Sequence, residues 1–177
     1  MVISFCFASS EGDVPVDNAT LDRPFILEPF RNHPFMTLRD YFLSIRHFIL
    51  RESGLSLTSL LRRLWDREVE LGDIDNIILR YEKYGTLYQI ASVTISAREN
   101  RVKLAVSTAL SVQAKTTLDR EFDLLHQLNG TTGLPYLPQV YWKQTMTVQK
   151  EEGTETLLMS LSQWFEGYHE WHFSRDD

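Results

Sequence analysis

The chain has little cysteine and no long apolar run. Cys6 is the single cysteine among 177 residues, so no disulfide can form within the chain. That composition is typical of a reducing compartment and predicts a cytoplasmic protein. No apolar stretch approaches the roughly 20 residues that a membrane helix needs, so no membrane association is expected. The apolar start, MVISFCFASS, has no basic residue before it, which argues against a secretory signal.

Positive charge is also scarce. Lysine and arginine total 18 against 24 aspartate and glutamate residues, which gives a formal net charge of −6. Nucleic-acid binding usually requires a basic face, so no nucleic-acid partner is expected. The length suits one ordinary domain, alone or with a helical appendage.

The first 73 residues have two different patterns. Residues 1–36 show weak periodicity and contain four prolines, which predicts an extended arm that is disordered in part. From Thr37 the apolar residues recur at helical spacing, and Thr37 with Asp40 resembles a capping box. Two short helices with a tight link predict a helical hairpin over residues 37–73.

Residues 74–177 alternate as strands do, apart from one helical stretch. IILRYEKYGTLYQIASVTISARENRVKLAVSTALS predicts three strands, with turns at Gly85 and near Asn100. SVQAKTTLDREFDLLHQLNG predicts a helix in which Lys115 pairs with Asp119 along the surface. Two further strands follow, joined at KEEGT. The predicted fold is α+β: a five-stranded antiparallel sheet with one inserted helix, preceded by the helical hairpin.

The segment from Ile77 to Phe173 resembles the N-terminal lobe of the protein-kinase-like fold. The closest likeness is to aminoglycoside phosphotransferases and related small-molecule kinases. The hairpin at Gly85 lies where the phosphate loop would be, and LAVS (Leu104–Ser107) where the third-strand lysine motif would be. Glu121 corresponds to the helix glutamate that pairs with that lysine. LLMSLSQWFEG, from Leu157, resembles the fifth strand and the hinge that holds adenine.

The resemblance implies ATP and magnesium as cofactors and a nucleotide surface shared by several elements. The candidate nucleotide-binding residues are Gly85, Lys103, Ala105, Ser107, Glu121, Gln163, Trp164, Phe165 and Glu166.

The chain departs from the family pattern at the phosphate loop and at the third-strand lysine. A glycine-rich loop needs several glycines, and YEKYGTLYQIA has one. Ser107 occupies the lysine position, and a serine cannot neutralise phosphate oxygens as a cation does. Lys103 shares the same strand face but lies four residues back, roughly 13 Å by strand rise.

No stretch of the chain matches the second lobe's catalytic base, asparagine and metal-binding aspartate. No catalytic residue and no metal site are therefore predicted. His169 and His172, three residues apart, are better explained as polar positions at a helix start than as metal ligands.

Three functional hypotheses remain from the sequence. The first is a kinase-like N-lobe that is catalytically incomplete as this chain stands, a pseudoenzyme. The second is a non-catalytic protein-binding module. The third is the front part of a complete ATP-dependent small-molecule phosphotransferase. In each, a second lobe or a protein partner is expected to dock near the aromatic C-terminal segment.

Overall fold

The computed structural model describes residues 1–9, 12–27, 36–51, 55–84, 88–131, 137–150 and 153–164. The strands are β1 (Val2–Ser9), β2 (Gly12–Pro15), β3 (Pro24–Phe25), β4 (Met36–Thr37), β5 (Asn76–Tyr84), β6 (Gln89–Ala97), β7 (Asn100–Ala109), β8 (Val140–Lys150) and β9 (Gly153–Gln163). The helices are α1 (Asn18–Leu21), α2 (Leu38–Ile49), α3 (Leu55–Trp65) and α4 (Val112–Thr131), with a short 3₁₀ helix at Leu71–Asp73.

Seven of these strands form one mixed sheet, in the order β2-β1-β5-β6-β7-β9-β8. All neighbours are antiparallel except β1 and β5, which run parallel with Val2 opposite Asn76. The α+β class is confirmed, but the sheet has seven strands rather than five and is not purely antiparallel. The additional two strands come from the segment that the sequence predicted to be an extended arm. Ile3, Phe5 and Phe7 on β1 pack against the core, and this burial explains why the segment joins the sheet.

Helices α2 and α3 occur where helical periodicity predicted them. The capping box at the start of α2 is present: the Thr37 hydroxyl accepts from the Asp40 backbone N–H at 3.1 Å. Its apolar stripe is fully buried, at Tyr41, Phe42, Ile45 and Phe48. The ring of Phe42 stacks on that of Phe5 from β1 at 4.9 Å, so α2 is fixed to the first strand as well as to the central ones.

The sheet has two distinct faces because successive strand residues point to opposite sides. Leu104 and Val106 of β7 belong to the main core with α2 and α3, and their side of the sheet is called the α2 face. Ala109 of β7 and Leu158 of β9 form a smaller cluster with Ala114 and Leu118 of α4. The side on which that cluster lies is called the α4 face.

Candidate functional site

The α4 face carries the third-strand residues that the resemblance singled out. Lys103, Ala105 and Ser107 alternate with the buried Leu104 and Val106, so all three lie on this face. Each of the three is partly exposed. The face is therefore accessible along β7, as a ligand surface requires.

Strand β9 lies directly beside this part of β7. Ala105 is opposite Ser162, and Ser107 is opposite Ser160. These four residues are small and lie side by side on the α4 face, and we call them the small-residue strip. Ser160 is buried, and the other three are partly exposed. Trp164 follows β9 immediately and borders one end of the strip.

Lys103 contacts Trp164 and Glu82 at that end of the strip. Its Nζ lies 4.0 Å from the centroid of the Trp164 ring, close enough for a cation–π interaction. The same Nζ is 3.6 Å from Oε1 of Glu82 on β5. The side chain of Lys103 is about one-fifth exposed, and the Glu82 side chain is 13% exposed, so water screens this ion pair only partly.

Glu82 joins Lys103 to a row of charged side chains that crosses the sheet. Arg80 Nε donates to Glu82 Oε1 at 2.6 Å, and the Ser92 hydroxyl donates to the same oxygen. Arg80 also donates through NH1 to Asp13 of β2 at 2.8 Å. Burial opposes the charge on Arg80, but its bonds to Glu82 and Asp13 outweigh burial and raise its pKa. The positive charges of Lys103 and Arg80 therefore equal the negative charges of Glu82 and Asp13 along this row of side chains.

Glu121 lies at the other end of the small-residue strip and has a partner that was not predicted. The Tyr88 hydroxyl donates to its Oε2 at 2.5 Å. Burial is the largest cause that raises the pKa of Tyr88, and the bond to Glu121 and its negative charge act in the same direction. Within the described residues, the helix glutamate thus meets Tyr88, the residue before β6, and not the lysine of a kinase-like pair.

Helix α4 is held on its other side by Lys143 of β8. Lys143 Nζ lies 2.6 Å from carboxylate oxygens of both Asp119 and Asp123, and 5.1 Å from the ring centroid of Phe122. The predicted pair between Lys115 and Asp119 is therefore wrong. Lys115 instead donates to the Thr156 hydroxyl at 2.8 Å. The contacts between helix and sheet replace the local pair, because Lys115 of α4 reaches Thr156 on β9 and Lys143 of β8 reaches Asp119 on α4.

The remaining candidates divide into two groups. Gln163 is two residues from Leu161 on β9, so it shares the α2 face with that residue. Its Oε1 accepts from the Gln139 backbone N–H at 3.3 Å. Its side chain therefore does not join the small-residue strip. Gly85, Phe165 and Glu166 lie outside the described residues.

The sequence pattern alone did not single out Glu82, Arg80, Asp13 or Tyr88. The sequence did indicate that two of them lie together. Arg80 and Glu82 are two residues apart on a strand and so share a face. Their meeting with Lys103 depends on the order β5-β6-β7, which the periodicity of one strand does not reveal.

No metal-ligating group of three or more histidine, cysteine or carboxylate side chains occurs among the described residues. His169 and His172 fall outside that part of the chain. In the same described part, no helix is both long and apolar enough to cross a membrane.

Comparisons of this chain with protein-family models, with curated proteins and with solved structures found no match.

Proposed function

We propose that residues 74–177 act as a kinase-like N-lobe that binds an adenine nucleotide without transferring its phosphate. The nucleotide lies on the small-residue strip, with the adenine toward Trp164 and the phosphates toward Tyr88 and Glu121. ATP accompanied by magnesium is the proposed ligand.

The pairing of β9 with β7 is the observation that carries this proposal. In the kinase-like fold, the hinge after the fifth strand and the motif on the third strand act on one nucleotide, so these two strands must be neighbours. In this chain the corresponding strands, β9 and β7, pair from Leu104 opposite Gln163 to Ala109 opposite Leu158. Helix α4 follows the third strand of the set and packs on the same face, which also agrees with the resemblance.

The arrangement of charges argues against phosphoryl transfer. Glu121 is engaged by Tyr88, and Ser107 supplies no cation at the centre of the strip. Lys103 is the nearest cation along β7, but Glu82 and Trp164 hold it at the far end. Phosphoryl transfer depends on cations that neutralise charge developing on the phosphate, and none of the described residues supplies one at the position of Ser107.

Thermal unfolding with and without magnesium–ATP tests the proposal. Nucleotide at about ten times its dissociation constant should stabilise the fold by about 1.4 kcal/mol. For a chain of this size, that corresponds to a rise in melting temperature of about 3–6 °C. Ala105→Leu should abolish the rise, because the larger side chain fills the strip beside Ser162.

Ala19→Leu is the matched control. It makes the same substitution at an exposed position of α1, away from the strip. Phosphorus NMR of the same samples should show no loss of ATP. A missing thermal rise at millimolar nucleotide, or an equal rise in the Ala105→Leu variant, would contradict the proposal.

A further inference from the structure

A second candidate site lies on the other side of the sheet, between α3 and β8. It is a cleft of about 400 Å³ lined by Ser56, Ser59, Leu60, Arg63, Tyr141 and Trp142. The cleft is separate from the small-residue strip, because Tyr141 and Trp142 pack against the core on the α2 face.

A break in strand register brings the two rings to the cleft. The pairing of β8 with β9 passes from Val140 opposite Ser162 directly to Trp142 opposite Leu161, so Tyr141 is an additional residue. Consecutive strand residues normally point to opposite faces, whereas a bulge redirects a side chain. Here both aromatic rings meet the α2 face, and they give the cleft a flat apolar wall.

The opposite wall is one polar stripe of α3. Ser56, Ser59 and Arg63 are three and four residues apart, so they follow one another along a single helix face. Within the described residues, neither serine hydroxyl has a protein hydrogen-bond partner, and Arg63 forms no ion pair. The Arg63 guanidinium lies 5.7 Å from the centroid of the Tyr141 ring, which positions its charge at the cleft.

Every polar side chain of the lining can donate a hydrogen bond. Arg63 and the indole of Trp142 can only donate, and the hydroxyl groups can donate as well as accept. The Trp142 indole N–H is buried and has no hydrogen-bond partner among the described residues. Ser56 also lies in the first turn of α3, where the helix dipole favours negative charge. A ligand that suits these walls carries an anionic group and a flat apolar body.

We propose that this cleft binds a small aromatic anion, with the ring against Tyr141 and Trp142 and the anionic group on Arg63 and the serine hydroxyls. The proposal is independent of nucleotide binding on the opposite face of the sheet.

Calorimetric titration with phenyl phosphate tests the site, with two partial probes for comparison. Inorganic phosphate provides the anion without the ring, and benzyl alcohol provides the ring without the anion. Phenyl phosphate should bind more tightly than either. In two-dimensional NMR, its addition should shift the Trp142 indole N–H signal, assigned from a Trp142→Phe variant.

Arg63→Gln should weaken phenyl phosphate binding about tenfold, the value expected for loss of a hydrogen bond to a charged group. Arg62→Gln is the matched control. It removes the same charge one residue away, from a side chain that pairs with Glu68 at 3.1 Å, and should change binding less than about twofold. No binding at millimolar phenyl phosphate, equal effects of the two variants, or equally tight binding of benzyl alcohol would overturn the proposal.

Discussion

The hydroxyl of Tyr88 donates a hydrogen bond to the carboxylate of Glu121, at 2.5 Å. This contact joins the residue before β6 to the middle of α4. It also occupies the glutamate that the kinase-like resemblance would pair with a lysine. The position of α4 over the sheet is therefore maintained by a neutral donor on one side and by Lys143 on the other.

Glu121→Gln should lower the pKa of Tyr88. In the native protein burial raises that pKa above its ordinary value of 10.0, and the bond and charge of Glu121 raise it further. The variant removes the last two effects, so phenolate should form at lower pH. Ultraviolet titration of the tyrosines measures this change, and Tyr88→Phe identifies the component that belongs to Tyr88.

The same pair makes stability depend on alkaline pH. A pKa raised by folding means that the unfolded chain loses this proton first. The contribution of neutral Tyr88 is then complete below about pH 10 and is lost as pH rises through the folded-state pKa. Glu99→Gln, an equal charge change in the exposed turn between β6 and β7, should leave the Tyr88 titration unchanged. An equal shift in both variants would show that net charge, and not the contact, sets the pKa.

Lys143→Met should destabilise the fold by about 1 kcal/mol, because both carboxylate partners are about half exposed and solvent screens the pairs. Urea unfolding measures the loss, and added salt should reduce the difference from the parent protein. Lys115→Met, which removes one hydrogen bond to Thr156, should cost less. A larger cost for Lys115→Met would mean that Lys143 does not hold α4.

Phe42→Ala should cost about 3–5 kcal/mol, because the ring is fully buried and its loss leaves a cavity against Phe5. Leu43→Ala, at the next position of α2, should cost less than about 1 kcal/mol because Leu43 is 39% exposed. Chemical denaturation compares the two variants. If Phe42→Ala does not fold, Phe42→Leu provides an intermediate volume. Equal costs at the two positions would contradict the placement of α2.

Ser107→Lys should tighten ATP binding about fivefold, because it introduces a partly exposed cation on the small-residue strip, worth about 1 kcal/mol. Ala19→Lys on the exposed surface of α1 adds the same charge away from the strip and should have little effect. Calorimetric titration with magnesium–ATP measures both. Unchanged affinity in the Ser107→Lys variant would indicate that phosphate does not lie near this position.

Local patterns predicted most of the elements of this fold. The periodicity of Leu38–Ile49 and of Val112–Thr131 identified two helices, and alternation identified the strands from β5 to β9. Strand β1 was missed although Ile3, Phe5 and Phe7 alternate. Its pairing partner β5 lies about seventy residues along the chain, and the crossover between them is long. Local pattern carries no information about such a distant pairing.

The candidate site was predictable only in part, for the same reason. Alternation placed Lys103, Ala105 and Ser107 on one face, and the structure agrees. The partners of Lys103 and Glu121 depend on which strands are neighbours. Glu82 meets Lys103 across β6, and Tyr88 meets Glu121 through the packing of α4 on the sheet. Neither contact follows from the spacing of residues along the chain.

A two-dimensional NMR titration with magnesium–ATP tests the central claim most directly. Nucleotide binding on the small-residue strip predicts amide shifts concentrated at Lys103, Ala105, Ser107 and Trp164, with signals on α3 unchanged. The ATP should remain intact throughout the titration. Absence of shifts at millimolar nucleotide, or shifts concentrated on a different surface, would contradict the assignment of this face to a nucleotide.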